Sequence, residues 1–307
     1  MPEPLGYPIG FVSSQTGLSP HVIRAWERRY QAVLPERSAS RRRLFTQSDI
    51  QRLLLLKRAI RRGYRISTIA GLGTAELNGL IRSVATPNDA VPEPLETPPQ
   101  SETKEIVDAC MDAVAVLDGP ELNRLLQEAA VEFSHHGLLE QIIAPLMEQV
   151  GRRWSQGDLR IVHAHGASVV VHAHLMRMLE LPIGREPEQP CLLMATPAGQ
   201  RCCLGALAIC IIAQDHGWTP IFLGTDLPAE EIAAACDALA PQMLALSITC
   251  RVNDRFMADQ LIRLSGFLED RFPMVIGGRA SHGYHRQLEG RTPAFWATTE
   301  DFLRLLQ

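Results

Sequence analysis

The sequence predicts a multi-domain chain: a small α-helical head of the winged helix-turn-helix class, a four-helix bundle, and an α/β domain with a doubly wound parallel sheet. Three observations predict it. A helix, a glycine turn, a second helix and an arginine cluster follow one another in the first 75 residues. A proline-rich stretch then interrupts the chain. Beyond it, four long amphipathic segments give way, from Gln189, to short β-prone runs alternating with helical ones.

Bulk properties set the bounds. The 307 residues suffice for two or three domains, and a hydrophobic content of 46% suits a globular protein. No apolar run approaches the ~20 residues needed to cross a bilayer. The start, MPEPLGYPIGF, lacks the basic-then-apolar order of a secretion signal, so a cytoplasmic protein without membrane contact is expected. Seven cysteines stand at 110, 191, 202, 203, 210, 236 and 250 with no CxxC among them, which suggests neither a zinc site nor a disulfide framework. The net charge of −4 hides an asymmetry: residues 1–75 carry 13 Lys/Arg against 4 Asp/Glu, and the remainder carries 17 against 30. A basic head on an acidic body fits a head that meets a polyanion.

The head is expected over residues 1–75. IGFVSSQTGL makes a short helix that stops at Gly17. Ser19 as N-cap and Pro20 at the first helical position then start PHVIRAWERRY. This second helix puts Arg24, Glu27 and Arg28 on one face and turns Val22, Ile23 and Trp26 toward a small core. Two helices across a tight glycine turn form a helix-turn-helix, whose second helix suits the major groove. LPERSASRRRLFTQSDI follows, with Arg37, Arg41, Arg42 and Arg43 around a short hairpin, or wing, and Thr46 or Ser48 capping the next helix. Arginines on a wing suit phosphate or minor-groove contacts. A run of arginines alone reads equally well as a solvated face; the order of elements carries the weight.

That order resembles the winged-helix DNA-binding domain of the MerR family along residues 7–72. LSPHVIRAWERRY is similar to the version, with RAWERRY, that begins photoreceptor-type regulators. The resemblance implies DNA reading by a dimer. By position it implicates Arg24, Arg28, Arg29, Tyr30 and the wing arginines Arg37, Arg41, Arg42 and Arg43.

A linker is expected over 76–103. Its main part, ATPNDAVPEPLETPPQSET, carries five prolines and is expected to be extended and partly stiff. The helical bundle is expected over 104–183. KEIVDACMDAVAVLD stops at Gly119 and Pro120, PELNRLLQEAAVEFS and LLEQIIAPLMEQVGRRWSQG follow, and a last long segment runs from about Asp158 to Leu181. The α/β domain is expected over 184–307, with strands at CLLMAT, TPIFLG, MLALSIT, MVIGG and AFWAT. TPAGQRCCLGA (196–206) joins its first strand to its first helix, which puts Cys202 and Cys203 where an open α/β sheet binds its ligand.

Residues 104–307 resemble the cobalamin-binding domain of the CarH/LitR light-sensing regulators, a module shared with corrinoid-dependent methyltransferases. The resemblance implies a Rossmann-like fold of the cobalamin-binding type and a loop of pattern E/D-x-H-x-x-G, whose His is the lower cobalt ligand. Here the loop reads Gln200-Arg201-Cys202-Cys203-Leu204-Gly205. The glycine is kept, the acid is Gln200 and the ligand position is Cys202. An imidazole ligand is oriented by a second-shell carboxylate, so ligand and orienter are absent together. The family's W-x9-E-H becomes Trp154 followed by Ala164-His165, with Trp and His kept and Glu lost. Ser247-Ile248-Thr249 and Gly277-Gly278 match the positions that touch the cofactor's nucleotide tail. The implied cofactor-binding set is Trp154, His165, Cys202, Cys203, Ser247, Thr249, Gly277 and Gly278, with His165 or Cys202 as the metal ligand if the cofactor is metallated.

Several readings of the pocket stay open. It binds a cobalamin with no histidine below the cobalt. It holds another tetrapyrrole, either haem with a thiolate or His165 as axial ligand, or a bilin attached to a cysteine. Cys202 and Cys203 form a strained redox pair. Or the pocket is empty and the domain serves association. A helix N-terminus is expected to lower the pKa of a nearby cysteine. Cys191, Cys210 and Cys236 are expected to be small buried hydrophobes. His163, His172 and His174 are expected at the surface or satisfied in the core, since HxH on a helix points the rings ~200° apart and does not chelate.

The expected protein is not an enzyme but a cytoplasmic transcription regulator. It binds an operator as a dimer or tetramer, works beside RNA polymerase at a promoter, and senses light or a ligand through a tetrapyrrole pocket. Two alternatives are a corrinoid-carrier module of a methyltransferase system, which has no use for a helix-turn-helix, and a ligand-free regulator controlled by a protein partner.

Overall fold

The computed structural model describes residues 6–306 except 19, 38–42, 62–63, 65, 83–99, 180–188, 251–253, 270, 289–293 and 297. The expected N-cap Ser19, the wing residues Arg41 and Arg42, and most of the proline-rich stretch lie outside the described residues. The chain divides into two compact units, Met1–Val170 and Val171–Gln307.

The first unit opens with β1 (Tyr7–Pro8), α1 (Ile9–Thr16) and α2 (Pro20–Tyr30). Gly17 ends α1 at φ 62°, with its N–H donating to Ser13 O, a left-handed cap that favours glycine. β2 (Glu36–Arg37) and β3 (Arg43–Phe45) follow, and β3 pairs antiparallel with both β1 and β2 to form the wing. Thr46 caps α3 (Gln47–Arg61): Asp49 N donates to Thr46 Oγ1 at 3.1 Å and Thr46 N donates to Asp49 Oδ2 at 2.8 Å. This is a capping box closed by aspartate. α4 (Ile66–Ile69) and α5 (Thr74–Arg82) complete the head. α5 occupies the start of the stretch read as linker, because Leu77 is fully buried and holds it to the head. Ile23, Trp26, Phe45, Leu53 and Leu56 form the centre of the head's core.

The helical body comprises α6 (Gln100–Ala115), α7 (Gly119–Glu132), α8 (His135–Leu138), a π-helical turn (Leu139–Ile143), α9 (Ala144–Gln156) and α10 (Ile161–Met178). Asp118 caps α7 by accepting from Glu121 N at 2.9 Å, with Pro120 in the first turn. Gly157 ends α9 at φ 87°. Met111, Leu122, Leu126, Ile142 and Leu146 are fully buried or nearly so.

The second unit alternates β4 (Cys191–Pro197), α11 (Leu204–Asp215), β5 (Thr219–Leu227), α12 (Ala229–Leu239), β6 (Met243–Ser247), α13 (Arg255–Leu268), β7 (Met274–Gly277), β8 (Ala294–Trp296) and α14 (Thr299–Leu305). The strands pair in parallel in the order β5-β4-β6-β7-β8. Every residue of β4 and β6 is buried, as expected where helices cover both faces and the strand reads as one apolar run. The chain passes from β4 to β5 on one side, then crosses back to β6 on the other. The strand order therefore reverses between β4 and β6, and such sheets bind ligands at the carboxyl ends of the strands flanking that reversal. Among the described residues, no helix is long and apolar enough to cross a membrane.

Candidate functional site

In the head, the exposed cations of α2 are Arg24, Arg28 and Arg29, the first two four residues apart on one flank. Arg29 lies on another flank and pairs with Glu132, and Tyr30 is half-buried. On the wing, Arg37 is exposed. Arg43 is half-buried and its Nε donates to Glu27 Oε2 at 2.5 Å, tying wing to α2. Two further cations are taken up by the head's frame. Arg52 donates to the carbonyls of Ala32, Ala70 and Leu72, and Lys57 donates to Thr16 O. Nothing in their spacing distinguishes them from the exposed arginines.

In the α/β unit, the loop after β4 and the loop after β6 meet at the switch point. Gln200 is fully buried. Its Oε1 accepts from Thr249 N at 2.9 Å and Cys250 N at 3.0 Å, and its Nε2 donates to Cys250 O at 2.8 Å. The amide is thus committed to the facing loop and not to Cys202. In sequence Gln200 stands only where an acid is lost, because its three partner atoms sit 49–50 residues away.

The rim is held from β5. Asp226, at φ 61°, accepts from Gly199 N at 2.6 Å and Arg201 Nε at 3.3 Å, while its own N–H reaches Thr196 Oγ1. The Gly199 N–H, helped by Arg201, holds the Asp226 carboxyl below the usual carboxylate range. α11 starts immediately beyond. A Cβ built on Gly205 would lie 3.6 Å from Ser247 Oγ and 3.9 Å from Thr249 Cγ2, so the first turn of α11 rests against the end of β6. Ser247 is buried, Thr249 half-buried, and Gly277 and Gly278 close the neighbouring end of β7. The structure therefore brings Cys202, Cys203, Ser247, Thr249, Gly277 and Gly278 to one edge of the sheet. It adds Cys250, exposed and with Sγ 3.7 Å from Thr249 Oγ1. Its place at the end of the run MLALSITC was the available signal.

Cys202 is exposed and Cys203 half-buried. Burial pushes the Cys203 thiol up, and the neighbouring Cys202 adds to the shift. At Cys203 the shift runs opposite to the lowering expected at the start of α11, with desolvation its largest cause. Cys110, Cys191, Cys210 and Cys236 are fully buried. Iodoacetamide on the native protein is therefore expected to label Cys202 and Cys250 first and Cys203 more slowly, and to reach the other four only after unfolding. Mass spectrometry of a time course checks this, and labelling of Cys203 as fast as Cys202 would contradict it.

The described residues do not fit a corrinoid ligated from below through this loop. The loop offers no imidazole. Its one amide is spent within the protein, and the ligand position is the exposed Cys202. Among the described residues, no group of three or more His, Cys, Asp and Glu is placed to hold a metal.

In the helical body, Trp154 on α9 is 48% exposed, and His165 on α10 is exposed. Ile161, Val162 and Val169 of α10 are also open to solvent, so the side chains around His165 form an uncovered apolar stripe. His163 and His172 are half-buried and His174 is buried.

Residues 7–75 match the family model described as MerR HTH family regulatory protein, and residues 106–177 match the one described as B12 binding domain. The chain is 28% identical to the HTH-type transcriptional repressor CarH of Myxococcus xanthus, over 97% of this chain and 97% of that protein. It is 26% identical to the HTH-type transcriptional repressor CarA of the same organism, over 87% and 84%. Among solved structures, the monomethylamine corrinoid protein of Methanosarcina barkeri is similar in fold. The TM-score is 0.53 at 16% identity, covering 66% of this chain and 98% of that one.

Proposed function

We propose, for a chain that is a MerR-type helix-turn-helix regulator with a B12-binding-type body of the CarH/LitR kind, that it controls transcription by binding an operator as a homo-oligomer in the cytoplasm, beside RNA polymerase at a promoter. It is a regulator rather than an enzyme. The body senses a flat tetrapyrrole, with a corrinoid as first candidate, bound at the β4–β6 switch point without an axial ligand from the loop beneath. Cys202, Cys203, Ser247, Thr249, Gly277 and Gly278 are the proposed contacts in the α/β unit. Arg24, Arg28, Arg29 and Arg37 are the exposed cations proposed as DNA contacts of the described head. The signal changes how protomers associate, and so how many heads engage DNA together.

The observation that carries this reading is the union in one chain of a DNA-reading head with a B12-binding-type body. The test begins with duplexes selected from a randomised pool by the immobilised protein. Arg24→Ala combined with Arg28→Ala is expected to weaken binding of the selected duplex about 100-fold at physiological salt, as two contacts of ~1–3 kcal/mol each require. No preference among duplexes for the unaltered protein would sink the regulator reading.

The cofactor is settled by an absorption spectrum of protein purified from cells supplied with cobalamin, haem and biliverdin. Corrin bands support the first candidate. A Soret band replaces it with haem. A long-wavelength band that stays with the denatured chain and vanishes in Cys202→Ala makes it a bilin. A second reading, a ligand-free body that acts by association alone, draws on the commitment of Gln200 to the protein itself; a colourless protein favours it.

A further inference from the structure

α7 has no cation of its own in its last turn. The last carbonyls of a helix lack intrahelical donors, and the partial negative charge there attracts cations. Both needs are met from more than 100 residues away. Trp26 Nε1 on α2 donates to Val131 O at 3.3 Å, in a buried bond. Arg29 Nη1, three residues further along α2, lies 2.5 Å from Glu132 Oε1. Val131 is 2% exposed and belongs to the head's core, and α4 also packs against α7. Trp26 and Arg29 share one flank of α2, whereas Arg24 and Arg28 project from another; all three arginines are exposed. The body thus grips the DNA-reading helix by its side, with the head's own indole and guanidinium capping the end of α7.

We propose that this seam is a latch in which Glu132 and a DNA phosphate are rival acceptors for Arg29, so that the body sets the head's affinity for DNA. The proposal rests on the DNA-binding reading above. A guanidinium takes carboxylate and phosphate oxygens with the same donors. The Arg29–Glu132 pair is 38% and 34% exposed, which keeps it weak enough for a phosphate to replace. The buried Trp26 bond holds the remaining register of the seam while Arg29 changes partner.

The test is binding of the full chain to a non-specific duplex at low salt, followed by fluorescence anisotropy. Glu132→Gln removes the charge of the rival acceptor at constant size. Glu128→Gln is its control: Glu128 is on the same helix but pairs within it, to Arg124 at 2.8 Å, so it reports the general effect of removing one negative charge. Glu132→Gln is expected to bind about 2- to 5-fold more tightly than Glu128→Gln, the range of an exposed ion pair. In the Arg29→Gln background that difference is expected to vanish. Equal affinities of the two glutamine variants, or a difference that survives without Arg29, would overturn the latch. Failure of every chain to bind, the unaltered one included, would overturn the DNA-binding reading and the latch with it.

Discussion

Gly278→Ala is expected to lower the melting temperature of the α/β unit by about 10 °C or more. Gly278 stands at φ 97°, a conformation that favours glycine. A Cβ there would lie 2.5 Å from Ile248 O and 3.0 Å from Ile248 C and N. These are backbone atoms, and Ile248 is held on both sides, donating to Gly277 O at 2.8 Å and accepting from Ala280 N at 3.0 Å. The neighbour cannot swing aside as a side chain would. Backbone strain of about 1–3 kcal/mol adds to an overpacking penalty of about 1–3 kcal/mol. Together they remove a large part of the ~5–15 kcal/mol that holds a typical domain. Gly266→Ala supplies the contrast. A Cβ there meets nothing within 4 Å, and the residue lies within α13, where alanine is the better helix former. Thermal melts of both variants check the pair. An unchanged melt for Gly278→Ala would mean that the ends of β6 and β7 do not approach as closely as described.

Gln200→Leu is expected to cost about 3 kcal/mol and to loosen the loop after β6. The substitution keeps the bulk and removes all three bonds to Thr249 and Cys250. Two N–H groups and a carbonyl then lose their partner, at about 1–3 kcal/mol for each group that water fails to reach. Cys250 is exposed, so water offsets part of this. Hydrogen exchange at Thr249 and Cys250 is the sharper readout, because local opening accelerates exchange there before the sheet unfolds. Unchanged exchange would show that the amide is not the clamp. The same geometry explains why an acid does not suit this position. One end of the side chain must accept from two N–H groups and the other must donate to a carbonyl. An amide does both, whereas an ionised carboxylate only accepts.

Much of the architecture was legible because its boundaries are written in residues with few conformational options. Gly17 and Gly157 end their helices in the left-handed region, and Pro20 and Pro120 open theirs. The β-prone runs at 191–195 and 243–247 read as strands of a parallel sheet covered on both faces, and both are wholly buried. The place of Cys202 and Cys203 was legible from strand-loop-helix order, whereas Ser247, Thr249, Gly277 and Gly278 followed only from the family resemblance. What escaped were relationships across long stretches of chain. Gln200 read as a missing carboxylate, since nothing local reveals that its bonds go to residues 249 and 250. Arg43 read as a DNA contact, but Glu27 lies beside it only after the wing folds back on α2. Arg52 and Lys57 carry the same charge as the exposed arginines, yet their bonds go to carbonyls. Charge is visible in sequence; which charges remain for a partner is decided by packing.

The capping of α7 by Trp26 and Arg29 bears on how such a regulator can be taken apart. A head cut after α5 would keep its helix-turn-helix and wing but lose Val131 from its core, leaving the indole of Trp26 with an exposed edge and no acceptor. Grafted onto a foreign sensor, it would carry that bare patch along. The transplantable piece is therefore not the contiguous N-terminal segment. It is that segment together with the last turn of α7, which follows the end of α5 after about fifty residues, and chimeras that respect this discontinuous border should express and hold together better than those cut at the proline-rich stretch.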